Sequence, residues 1–206
     1  GQYLTPSDVI ESLATCEYSL PAILEAIYGR VAQVAGRRVP GDKSPNDLVY
    51  CRILLKHGLA RSPIKVIHVV RDIRDVLLSL AEAQPQDAAE LNLYFARSWA
   101  QSNLFLQDMY VGLPEKYLFL RYEDLVVEPE AEFRRIADFL GVPFQERMLD
   151  ATTRSRRYQG MKQHQNLSLP ISQRRGNWRE TMPGELQARC AVQAGEALSR
   201  FGYTVK

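Results

Sequence analysis

The sequence is poor in the residues that announce a metal centre or a disulfide scaffold. Its three cysteines, Cys16, Cys51 and Cys190, lie far apart, form no CxxC pair and are odd in number. That pattern argues against a disulfide framework or a zinc site and fits a reducing, cytoplasmic setting. His57, His68 and His164 share no metal-ligand spacing, so no metal is expected. No apolar run is long enough to cross a bilayer. The opening Gly1-Gln2-Tyr3-Leu4 lacks the basic and apolar regions of a signal peptide. Neither sign of charge dominates: 26 basic against 24 acidic side chains leave a net +2, too little for a general nucleic-acid binder. Also missing are G-x-S-x-G, G-x-G-x-x-G, H-E-x-x-H and a close acidic metal cluster. Ordinary hydrolase and dehydrogenase chemistry thereby loses most of its support.

What is present is a globular chain. The 206 residues are 46% hydrophobic and 24% charged, which fits a single domain over residues 1–206 and excludes disorder. From Pro6 to about Ala35 the apolar residues recur at helical steps, and Pro21, suited to a first turn, divides the stretch into two helices. A Gly/Pro-punctuated loop from Gly36 to Pro45 precedes a helix over Asn46 to His57. The β-branched run Lys65 to Val70 reads as a strand covered on both faces. It runs into Arg71-Asp72, with Asp72 as N-cap of the next helix. A long helix spans about Asp87 to Tyr110, and a second strand spans Tyr117 to Arg121. Pro129 opens a helix that Gly141 stops, and a last helix covers Pro183 to about Phe201. Strands alternating with helices indicate an α/β layered fold with a parallel sheet. Two strands, with a short third near Val39, are too few for such a sheet, so an N-terminal strand is expected to be missing.

Three places carry candidate chemistry. The first is the strand-to-helix junction Val69-Val70-Arg71-Asp72-Ile73-Arg74-Asp75, with Ser79 about two turns along the helix. A helix N-terminus favours an anion, and Arg71 and Arg74 add donors suited to phosphate. The same residues also fit an N-cap flanked by Arg–Asp ion pairs. The second is the loop Gly41-Asp42-Lys43-Ser44-Pro45. Read with Gly36 it nearly matches a phosphate-binding loop, but Asp42 is inserted before the lysine and no apolar strand precedes Gly36. The third is the stretch from Ala151 to Arg179, which holds seven basic side chains and no acidic one. It is either a solvated loop or a cover for something anionic. It closes on Arg174-Arg175-Gly176-Asn177-Trp178-Arg179, where the glycine lets backbone and guanidinium groups approach a phosphate.

Taken in order, these pieces resemble the sulfotransferases that use 3′-phosphoadenosine 5′-phosphosulfate (PAPS), in the branch common among bacterial and carbohydrate sulfotransferases. The resemblance rests on Gly41 to Pro45, Arg71 to Val76 with Ser79, Leu120 to Leu125 with Pro129-Glu130, Phe139 to Phe144, and Gly176 to Arg179. It implies a three-layer α/β fold like that of the P-loop NTPases, a parallel sheet flanked by helices, here without the N-terminal strand. It implies that Arg71 and Ser79 hold the 3′-phosphate, that Tyr122 contacts the phosphoadenosine, and that Arg174, Arg175 and Gly176 close over the 3′-phosphate. Lys43 would stabilise charge on the bridging oxygen as a sulfuryl group passes, without metal, to a hydroxyl or amine of an acceptor such as a carbohydrate or small molecule. The product would be 3′-phosphoadenosine 5′-phosphate (PAP).

The chain departs from the pattern at Ile73, where proline is usual, at Arg174, where serine is more typical, and in lacking the glycine-rich phosphosulfate loop, expected before Gly1. Two other readings remain. One is a PAP- or PAPS-binding protein without catalysis; the other is a nucleotide kinase-like phosphotransferase, disfavoured by the broken phosphate loop. Asn166-Leu167-Ser168 fits a glycosylation sequon, a pattern common by chance.

Overall fold

The computed structural model describes residues 4–43, 63–83, 91–150 and 176–205. They belong to two compact units, Gly1–Ile64 and Lys65–Lys206. In the first, α1 (Pro6–Leu13) and α2 (Leu20–Val34) form as expected, with proline in the first turn of each. Thr5 caps α1 through a reciprocal box with Asp8. That bonding, the Thr5 side chain first, lowers the Asp8 carboxyl to about 2. Asp8 also receives Arg30 of α2 at 2.6 Å, tying the two helices. Val39 lies in a bend and is exposed, so the short third strand expected there does not form. Its surroundings, Arg37, Arg38, Pro40 and Gly41, offer neither apolar alternation nor a ladder partner among the described residues. The helix expected over Asn46 to His57 lies outside the described residues.

In the second unit the chain runs β1 (Val66–Val70), α3 (Ile73–Ala83), α4 (Leu91–Met109), β2 (Tyr117–Arg121), α5 (Tyr122–Val127) and α6 (Pro129–Leu140). A 3₁₀ turn at Glu146–Met148, α7 (Trp178–Thr181) and α8 (Gly184–Arg200) complete it. The two strands pair in parallel, Val66 with Tyr117 through Val70 with Arg121. The expectation of a parallel sheet among helices therefore holds for these two strands.

The core gathers the apolar stripes of α3, α4 and α8 around β1. Val70, Ile73, Leu77, Ala96, Ala194, Leu198 and Phe201 are all buried. Small residues on α8, Ala194 and Ala197, let it pack closely in that core. The expected glycine stop is in place at Gly141, which takes the left-handed conformation at the end of α6. Val142 N–H then bonds back to Ala137 O at 3.0 Å.

Candidate functional site

The parallel register decides what meets at the carboxyl ends of the strands. Because Val70 faces Arg121, the residues that follow the two strands, Arg71 and Tyr122, become neighbours. The Arg71 guanidinium lies over the Tyr122 ring, 4.8 Å from its centre. Both are half-buried. In open α/β sheets ligands bind outside the carboxyl ends of the strands, where chains turn into helices. This pair sits at such an edge, with α3 and α5 starting beside it. A guanidinium beside a phenol ring suits a phosphate next to an aromatic base, so the residues fit a nucleotide.

Asp72 performs the expected capping. Its Oδ1 accepts the Arg74 backbone N–H at 2.9 Å, and its carbonyl receives Val76 N–H at 3.0 Å. Arg74, expected to face phosphate, does something else. It is 1% exposed and forks onto Asp72, donating from Nε at 2.9 Å and from Nη2 at 2.7 Å. Nη2 also donates to the Thr204 carbonyl at 2.7 Å, and the group lies 3.5 Å from the centre of the Trp178 ring. A guanidinium so enclosed holds the fold and has no face left for a ligand. The sequence could not tell which of the two arginines would turn inward.

Asp75, the next acidic residue on α3, is also buried. Its carboxylate accepts Gly176 N–H at 2.6 Å and Trp178 N–H at 3.2 Å. Gly176 has φ +70°, and a Cβ there would stand 2.7 Å from Arg179 Nη1. The end of the basic stretch is thus fastened to α3, one turn from the Arg71 junction. Nothing in the spacing of Asp75 and Gly176 announced that link.

The other expected residues are placed as follows. Ser79 is exposed on α3, about 10 Å along the helix from Asp72. Lys43 is exposed in the first unit, beside Asp42, whose carboxylate accepts the Tyr28 hydroxyl at 3.0 Å. Arg174 and Arg175 lie outside the described residues. His68 is buried in β1, as a structural histidine would be. Its Nε2 donates to Asn103 Oδ1 at 2.6 Å and its Nδ1 accepts the Tyr117 hydroxyl at 2.6 Å. Burial pushes its pKa below 6.5. The sequence misses Tyr203 and reads Glu123 only as a carboxylate that caps or pairs with surface arginines, whereas its partners are a backbone amide and that tyrosine. Glu123 accepts the Asp72 backbone N–H at 3.0 Å and the Tyr203 hydroxyl at 2.7 Å. Among the described residues no cluster of histidine, cysteine and carboxylates is arranged to hold a metal ion. No described helix is long and apolar enough to cross a membrane.

Comparison with known proteins places these features in a family. Residues 51–189 match the family described as the sulfotransferase domain. Cytosolic sulfotransferase 8 of Arabidopsis thaliana is 36% identical over 103 residues, covering 44% of this chain and 31% of that protein. Carbohydrate sulfotransferase 4 of Mus musculus is 34% identical over 103 residues, covering 48% of this chain and 26% of that one. The chain thus spans about a third or less of those relatives' length. Among solved structures, the sulfotransferase domain from the curacin biosynthetic pathway superposes with a TM-score of 0.63 at 25% identity, over 89% of this chain and 69% of that one. The sulfotransferase domain of the Synechococcus PCC 7002 olefin synthase gives 0.62 at 28% identity, over 86% and 64%.

Proposed function

This chain belongs to the sulfotransferase domain family, and on that premise we propose that it binds PAPS and takes part in sulfuryl transfer to an acceptor hydroxyl or amine, leaving PAP. The observation that carries the reading is the Arg71–Tyr122 pair at the carboxyl edge of two parallel strands. When bound, PAPS supplies the sulfuryl group on an activated phosphosulfate. Arg71 binds the 3′-phosphate with a charge-assisted fork, and Ser79 adds a hydroxyl from the side of α3. Tyr122 offers its ring to the phosphoadenosine. Arg174, Arg175 and Gly176 close over the 3′-phosphate from the late segment. Lys43 brings positive charge to the oxygen on which negative charge develops, the arrangement that lowers such barriers most. Asp72 and Arg74 pair with each other beside the junction. The acceptor is a carbohydrate or another small molecule.

Calorimetric titration with PAP tests the site. Arg71→Ala is expected to weaken binding by at least about tenfold, the value of a charged hydrogen bond. An Arg71→Ala protein that binds PAP as tightly as the parent contradicts the assignment.

A further inference from the structure

The carboxyl ends of β1 and β2 leave a bonding problem two residues beyond the last ladder pair. Both chains turn into helices there, so the ladder stops at Val70 and Arg121. The amide of Asp72 is buried at this point and needs an acceptor. Glu123 supplies it across the gap, Oε1 to Asp72 N–H at 3.0 Å. Asp72 follows Arg71 and Glu123 follows Tyr122, so this bond ties the backbone after Arg71 to the side chain of the residue after Tyr122. A buried carboxylate is a costly way to satisfy one amide unless its second oxygen is also bonded. Tyr203 provides that partner, donating to Oε2 at 2.7 Å, with its hydroxyl also 3.2 Å from the Val70 carbonyl.

Tyr203 is itself held by construction of the chain end. Gly202 at φ +76° lets the backbone reverse after α8, and Tyr203 N–H bonds back to Leu198 O at 2.8 Å. The Arg121 guanidinium covers the ring at 4.5 Å. Burial and the Glu123 carboxylate both push the phenol pKa up, so the hydroxyl keeps its proton and stays a donor.

We propose that Glu123 and Tyr203 are positioning residues for nucleotide binding, a clamp by which the C-terminal segment sets the geometry of Arg71 against Tyr122. The clamp touches no nucleotide; it acts through the Asp72 backbone. It rests on the reading of Arg71 and Tyr122 as the nucleotide site, and the test separates the two.

PAP is titrated calorimetrically into the full chain and into Arg71→Ala, Tyr203→Phe, Glu123→Ala and the Tyr203→Phe/Glu123→Ala double variant. Calorimetry reports the binding-competent fraction as stoichiometry and the affinity of competent molecules as Kd. A purely structural role lowers the stoichiometry and leaves Kd alone. The clamp predicts a Kd about tenfold higher for Tyr203→Phe at unchanged stoichiometry, equivalent to about 1.4 kcal/mol. It also predicts a double variant no weaker than Glu123→Ala, because Tyr203 acts through Glu123. Tyr203→Phe keeps the buried ring, so it remains informative if Glu123→Ala fails to fold. Parental affinity in Tyr203→Phe, with Arg71→Ala weakened, overturns the clamp and spares the site. Parental affinity in Arg71→Ala overturns the site reading itself.

Discussion

Two arginines three positions apart, Arg71 and Arg74, meet opposite fates, and the difference is set by what each can reach. Arg74 finds the Asp72 carboxylate, the Thr204 carbonyl and the Trp178 face, and vanishes into the core. Removing Asp72 would strand that guanidinium, so Asp72→Ala is expected to cost about 3–5 kcal/mol in urea unfolding. Ser79→Ala, on the exposed side of the same helix, should change stability by less than about 0.5 kcal/mol. His68 gives a pH signature. It is buried neutral, with a folded pKa below 6.5, so the unfolded chain binds the extra proton. Its contribution is complete above the unfolded value and is lost as pH falls through about 6.5 toward the lowered folded value. The urea midpoint should therefore drop between about pH 7.5 and about pH 5.5, and drop less in His68→Gln. An equal drop in both proteins would assign the effect to other groups.

The elements themselves were largely legible in sequence, because each carries its own punctuation. Pro21 and Pro129 open helices, Gly141 closes one, and the β-branched run before Arg71 is a strand. Asp72 capped α3 as its residue type and place required. The parallel sheet followed from continuous apolarity, but that its register brings Arg71 and Tyr122 to one edge is seen only in the structure. What could not be read were contacts across long separations. Asp75 reaching Gly176 and Tyr203 reaching Glu123 depend on how α7 and α8 pack, which no local pattern encodes. Val39, in a polar setting, made no strand. Gly202→Ala, which forces a side chain into the left-handed region, is expected to cost about 1–2 kcal/mol. The same change should displace Tyr203, visible as a higher Kd for PAP. Unaltered affinity and stability would show that the turn after α8 does not set Tyr203.

At the scale of the whole molecule, the family match covers residues 51–189 and the curated relatives extend well beyond the aligned part. On the proposed reading, Arg71 and Tyr122 grip the 3′-phosphate end of the nucleotide, and this chain can test that grip directly. A site built to read that phosphate should discriminate between nucleotides by where their phosphates sit, not by how many they carry. ATP has more negative charge than PAP but no phosphate on the 3′ carbon, and 5′-AMP lacks it too. The decisive measurement is titration of the 206-residue chain with PAP, ATP and 5′-AMP under one buffer. PAP is expected to bind at least about tenfold tighter than either competitor. ATP or 5′-AMP binding as tightly as PAP would contradict it.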